Sequence, residues 1–158
     1  MHLQNIEEKL GHFRLECKKH NLKITPQRVA IYRKLLDSRD HPTADDIYRD
    51  IREDFSNISY DTVNRTLLSL AEIGMIDIVK SPGGARRFDP DAGSHHHLHC
   101  VKCSKIIDFH SEECDKLKIP DEIKDQFIII SKRVVLNGIC TECRQKFKAS
   151  DLKYQYNY

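Results

Sequence analysis

Apolar residues recur every three or four positions through the first seventy residues, and the pattern then shifts to alternation. Leu3, Ile6, Leu10 and Phe13 fall at helical spacing. Thr25 followed by Pro26 pairs a cap with a first-turn proline, so the sequence predicts a helix there that carries Val29, Ile31 and Leu35. Thr43 caps the next, ADDIYRDIRED, and places Asp45 and Asp46 in its first turn, where the helix dipole favours acids. Ser59 caps a fourth, which sets Val63, Leu67 and Leu70 on one face and ends at Gly74. MIDIVK, the turn SPGG and ARRF then read as a two-stranded hairpin.

Three short helices followed by a hairpin fit a winged helix-turn-helix, with the helix from Ser59 as the recognition helix and the hairpin as the wing. Its outward positions include Tyr60, Asp61, Asn64, Arg65 and Ser69. A plain helical bundle with one polar face fits the same pattern equally well. Asp61 and Glu72 offset Arg65, so contacts to nucleic-acid phosphates would fall to Lys18, Lys19, Arg28, Arg86 and Arg87.

The second half alternates. LHCVKC and KIIDFH read as strands flanking a knuckle, a short helix follows Pro120, and FIIISKRVVLNGIC is a β-branched run that reads as one long strand over 127–140. A final helix starts near Thr141. The chain is therefore expected to be α+β. A winged-helix domain spans 1–88, FDPDAG supplies a hinge over 89–93, a small α/β domain runs over 94–148, and a tail covers 149–158.

Composition narrows the class. The chain has 158 residues, 39% hydrophobic and 32% charged, which suits a soluble folded protein with a modest core. No apolar run reaches about 18 residues, so no membrane-spanning helix is expected, and the first twenty residues lack the apolar centre of a signal peptide. A cytoplasmic protein is the expectation. Net charge is +2, and it sits in the first half: residues 1–88 hold 15 basic and 13 acidic side chains (15 − 13 = +2), residues 89–158 hold 11 of each. Bulk charge argues neither for nor against nucleic acid.

Six cysteines and nine histidines are many for this length. Cys100-x-x-Cys103 and Cys140-x-x-Cys143 are two knuckles separated by 36 residues. Four thiolates form the soft tetrahedral set that zinc prefers, and Zn(II) binding would become folding free energy for a domain with few apolar residues. Disulfides and a redox CxxC are the alternatives. A cytoplasmic setting disfavours the first, and the absence of a βαβ context disfavours the second. Cys17 and Cys114 read as semi-buried thiols.

His95, His96, His97 and His99 are clustered, and along a strand His95, His97 and His99 share one face with His96 opposite. Asp89 precedes the cluster, Asp108 follows it on the next strand, and His41 lies far off in DHPTADD. If His41 joined Asp89, His95, His97 and Asp108, a metal would tie the two domains together and its occupancy would set their angle. Nitrogen and carboxylate donors without thiolate suit Fe(II) or Mn(II) better than tetrahedral zinc. Solvated surface histidines are the alternative, and they are the reading adopted for His2, His12, His20 and His110.

Taken together, ITPQR at 24–28, HPTADDIY at 41–48, TVNRTL at 62–67, RRFD at 86–89, HHHLHCVKC at 95–103, IIDFH at 106–110 and GICTEC at 138–143 resemble the ferric uptake regulator (Fur) family of metal-dependent repressors, over roughly residues 5–148. The resemblance implies a winged helix followed by an α/β dimerisation domain. It implies structural zinc on Cys100, Cys103, Cys140 and Cys143, and a regulatory Fe(II) or Mn(II) site of His41, Asp89, His95, His97 and Asp108. It also implies a homodimer that places Ser59, Tyr60, Thr62, Asn64 and Arg65 in the major groove of an AT-rich inverted repeat.

Iron-sensing members usually carry glutamates where this chain has Asp89 and Asp108, whereas the peroxide-sensing (PerR-like) branch carries aspartates. In that branch bound Fe(II) reacts with hydrogen peroxide, a histidine ligand is oxidised (His41 or His95 here), and DNA is released, while Mn(II) supports repression without this chemistry. Iron- or zinc-level sensing is the alternative within the family. The chain departs from the family pattern at Asn64, where a DNA-touching tyrosine is usual. It departs at His99, where an apolar residue is usual and an extra ligand becomes available, and at Lys132, where a histidine of a third metal site is common. No HExxH, P-loop or GxSxG motif points to an enzyme. A zinc-ribbon interaction module without DNA binding is the remaining class.

Overall fold

A computed structural model of the chain describes residues 2–38, 40–81 and 84–146, with side chains from Ile6 onward. The Leu3 side chain, Pro82 and Gly83 of the predicted turn, the last two residues of the predicted 94–148 domain and the 149–158 tail lie outside the described residues. The chain forms two compact units, one ending at Gly93 and the other beginning at Ser94.

The N-terminal unit holds four helices and a hairpin: α1 (His2–Lys19), α2 (Pro26–Asp37), α3 (Ala44–Ile51), α4 (Tyr60–Glu72), β1 (Asp77–Lys80) and β2 (Arg86–Asp89). Each predicted cap is made. Thr25 Oγ1 accepts from the Arg28 N–H, and Ser59 Oγ accepts from the Thr62 N–H. Thr43 and Asp46 form a reciprocal capping box, each side chain accepting from the other's backbone N–H. After α4 the chain turns at Gly74 with φ +71°, a conformation that costs a residue with a Cβ. β1 and β2 pair antiparallel from Asp77↔Asp89 to Lys80↔Arg86.

One apolar cluster fills this unit. Ile6, Leu10, Phe13 and Cys17 of α1 meet Ile31, Tyr32 and Leu35 of α2, Ile47 and Ile51 of α3, Val63, Leu67 and Leu70 of α4, and Phe88 of β2. Cys17 is fully buried in this cluster, so it continues the α1 stripe rather than standing half-exposed. Burial pushes its thiol pKa upward, against the pull of the Arg28 charge. Met75 and Ile76, read as strand residues, belong to the core just before β1 begins.

The C-terminal unit contains β3 (His96–Cys100), β4 (Ile106–Phe109), α5 (Glu112–Asp115), α6 (Asp121–Lys124), β5 (Val135–Gly138) and α7 (Thr141–Gln145). Its sheet has the order β4-β3-β5, with β3 antiparallel to β4 and parallel to β5. Apolar burial is thin here. Among the described residues of this unit, the buried hydrophobic side chains are Cys100 and Ile106, beside buried His95, His96, His97 and His99.

One predicted element is corrected. The long strand over 127–140 is a strand only at Val135–Gly138, and Phe127–Arg133 have no regular structure. β-branched residues favour a strand only where a neighbouring strand can pair with them. Parallel pairing sets His97 beside Val135, and β3 begins at His96, so β3 offers one residue upstream of that pair and none for Phe127–Arg133. Ile128 and Ile130 are accordingly 94% and 95% exposed.

Candidate functional site

The four knuckle cysteines converge at one end of the sheet. Cys100 closes β3, Cys103 sits in the turn after it, and Cys140 and Cys143 flank the start of α7, with their sulfurs all within 4.8 Å of one another. Cys103 and Cys140 Sγ are 3.7 Å apart. Backbone geometry favours thiolate: the Cys140 N–H donates to Cys100 Sγ at 3.3 Å. Burial works against ionisation of Cys100, but N–H groups of Cys140, Cys103 and Lys102 outweigh it and bring the thiol down to about 6. Hydrogen bonds from Cys140 and Cys103 push Cys143 the other way, to about 12. Four sulfurs packed this closely disfavour more than one thiolate among them, a repulsion that a divalent cation relieves. The donor set therefore fits zinc.

The nitrogen and carboxylate residues fall into two sets, one in each unit. In the N-terminal unit His41 Nε2 lies 3.3 Å from Asp89 Oδ2, with both side chains buried. The pair is built by β2. Arg87 Nη1 donates to the His41 carbonyl at 3.0 Å and also reaches the Asp40 carbonyl, while the Phe88 N–H donates to the Pro42 carbonyl at 3.0 Å. These bonds hold His41 at φ +44°, a left-handed conformation that costs roughly 1–2 kcal/mol for a residue with a Cβ. Asp89 is oriented from its far side, since Oδ1 accepts from the Asp91 N–H at 2.8 Å. Arg87, expected on phosphate, thus also shapes the His41 loop through Nη1.

In the C-terminal unit the alternation along β3 puts His95 and His97 side by side, with Nε2 atoms 2.9 Å apart. Asp108 of β4, directly across from His97, brings Oδ1 within 3.7 Å of His95 and 3.4 Å of His97. Two ring nitrogens and a carboxylate oxygen this close to one another form a donor cluster suited to a cation. Nitrogen and oxygen donors without sulfur fit Fe(II) or Mn(II).

The remaining histidines separate from this set. The His99 ring lies 6.1 Å from that of His97, one pleat further along the same face, and His110 lies 6.2 Å from His95. His96 points to the opposite face, where its Nδ1 accepts from the Val134 N–H and its Nε2 faces Asp115 at 3.2 Å. This Asp115 partner was not foreseen, because α5 is one turn long and carries no periodic signal. Lys132 Nζ donates to the carbonyls of Asp115 and Leu117, which ties the same end of α5 to the chain before β5.

Along α4, Ser59, Tyr60, Asp61, Thr62 and Arg65 are exposed and Asn64 is half-exposed. Tyr60 packs edge-on against Tyr48 of α3, whose ring also carries the Arg52 guanidinium. A groove of about 480 Å³ runs beside α4, lined by Tyr60, Asn64, Thr43 and Arg86, and a second of about 320 Å³ is lined by Arg28, Thr62, Arg65 and Ser69.

A helical unit with a two-stranded hairpin, joined to a unit bearing four clustered thiols, fits the class of metal-binding winged-helix regulators. The ferric uptake regulator family model matches residues 19–137, and the chain belongs to that family of dimeric DNA-binding regulators. The peroxide-responsive repressor PerR of Staphylococcus epidermidis is 34% identical over 144 residues, covering 91% of this chain and 96% of that protein. Among solved structures, the ferric uptake regulator of Helicobacter pylori aligns with TM-score 0.73 and 30% identity over 88% of this chain and 93% of that one. The peroxide stress regulator of Campylobacter jejuni aligns with TM-score 0.65 and 28% identity over 80% and 95%.

Proposed function

We propose that this regulator represses transcription in its metal-loaded form and is released from DNA by hydrogen peroxide. In this reading His41 and Asp89 from one unit, and His95, His97 and Asp108 from the other, close on one Fe(II) or Mn(II) ion, while Cys100, Cys103, Cys140 and Cys143 hold zinc. The observation that carries the reading is the donor set itself: imidazoles with the short carboxylates of Asp89 and Asp108, and no thiolate. Similarity to peroxide-responsive repressors over nearly the whole chain supports it.

Bound iron supplies the one-electron chemistry that activates peroxide. The chain does the rest. Burial of His41 and His95 restricts bulk water around their rings, and each ring has a carboxylate beside it, Asp89 for His41 and Asp108 for His95. Insertion of one peroxide oxygen into an imidazole C–H, with the other leaving as water, converts a donor into a poor ligand and unlinks the two units. Cytoplasmic placement follows from this role, since the operator is chromosomal.

The test is peptide mass spectrometry after a small excess of peroxide on iron-loaded protein, beside a manganese-loaded control. One added oxygen on the His41 or His95 peptide with iron alone is the expected result. No added oxygen with metal demonstrably bound would turn the reading toward sensing of iron or zinc level.

DNA engagement in this reading uses α4, with Ser59, Tyr60, Thr62, Asn64 and Arg65 toward an AT-rich inverted repeat, and Arg28 and Arg86 on flanking phosphates. The second copy covers the apolar strip at Phe127, Ile128 and Ile130, which gains a pairing strand in the dimer. Ile130→Asp is expected to shift the protein from dimer to monomer in analytical ultracentrifugation with zinc content unchanged. A dimer that persists at micromolar concentration would place the interface elsewhere.

A further inference from the structure

Asp61 and Arg65 stand one turn apart on the outward face of α4, and Arg65 Nε donates to Asp61 Oδ2 at 2.9 Å. The side chains are 65% and 77% exposed, so the pair contributes little to helix stability. Toward a polyanion its placement is costly. A carboxylate on a helix that meets a polyanion repels phosphate, and among the residues lining the adjoining groove Asp61 is the sole acid, beside Arg28 and Arg65. As a first-turn acid it is favoured by the helix dipole, but the cap itself is made by Ser59.

What the carboxylate does is fix a direction. A guanidinium is a rigid plane of five donors. With Nε engaged by Asp61, that edge is occupied, and the terminal Nη1/Nη2 fork is the edge left for another acceptor. That fork matches the O6 and N7 acceptors of guanine in the major groove. Without the carboxylate, the long side chain is free to settle on phosphate, where it carries no sequence information.

We propose that Asp61 is a positioning residue for base specificity, holding Arg65 so that it reads a guanine in each operator half-site. The proposal rests on α4 being the base-reading helix. Its test is selection from a random duplex DNA library by the full chain loaded with zinc and Mn(II), comparing wild type, Asp61→Ala, Asp61→Asn and Arg65→Ala. Affinity for a random duplex is measured alongside at two salt concentrations.

Asp61→Ala is expected to bind random duplex more tightly, because a negative charge is removed, yet to lose about tenfold in discrimination at one guanine per half-site, with the rest of the motif intact. Asp61→Asn, which still offers an acceptor to Nε, is expected to lie between. A purely structural role would weaken binding to all sequences and leave the motif unchanged. An unchanged guanine preference in Asp61→Ala, where Arg65→Ala abolishes it, overturns the proposal alone. A wild-type protein that selects no motif, or whose motif ignores Arg65→Ala, overturns the reading of α4 and the proposal with it.

Discussion

Replacing Cys140 with serine is expected to abolish zinc binding and to unfold the C-terminal unit while leaving the N-terminal one intact. The magnitudes point one way. Structural zinc contributes about 10–16 kcal/mol of apparent binding free energy in small domains, and whole domains have a net stability of about 5–15 kcal/mol. A unit whose described buried apolar side chains are Cys100 and Ile106 has little else to replace the metal. Cys140 is also placed to matter twice, since its sulfur joins the cluster and its N–H stabilises Cys100. Elemental analysis should show one zinc lost per chain, and calorimetry should show the loss of one of two transitions. Unchanged zinc content with an unchanged melting curve would contradict the assignment.

His41→Ala is expected to have the largest effect on DNA binding. In the proposed two-part site, His41 is one of two donors from the DNA-reading unit, so its loss separates ion occupancy from that unit. Metal-activated affinity for an operator should fall by about 100-fold, to the level of the metal-free protein, a span typical of coupling between sites. Zinc content and dimerisation should be unaffected, because the cysteines lie in the other unit. The comparison is made by fluorescence anisotropy with and without Mn(II). Full retention of the metal response would remove His41 from the site. The same measurement on Lys132→Ala serves as a control, since that ammonium binds carbonyls at the end of α5.

Which features could be read from the sequence follows from the range of the interactions that set them. Thr25, Thr43 and Ser59 each cap a helix through a neighbour three residues on, so local chemistry predicts them. The alternation that puts His95 and His97 on one face and His96 on the other is equally local. Cys17, expected to be semi-buried, is fully buried, because its spacing from Phe13 continues the apolar stripe of α1. The strand over 127–140 failed for the opposite reason. Its β-branched composition is a local signal, but the pairing that would realise it depends on where β3 starts. Nothing near His41 announces its left-handed backbone, since the bonds that hold it come from Arg87, 46 residues away. The Asp61–Arg65 contact lies within one turn and could have been drawn from the sequence, where the two charges were taken only to cancel.

The spacing of the thiols also imposes an order in time. The N-terminal core is complete once Phe88 has been made, whereas the cysteine cluster needs Cys143, about 50 residues after Gly93 (143 − 93). At translation rates of about 5–20 residues per second, a nascent chain carries an assembled DNA-reading unit for roughly 3–10 seconds before its metal clasp can close. Under the proposed two-part site, newly made copies therefore pass through a stage in which the winged helix is present but answers to no metal. A ribosome stalled in that interval, or a message truncated there, yields a product outside metal control.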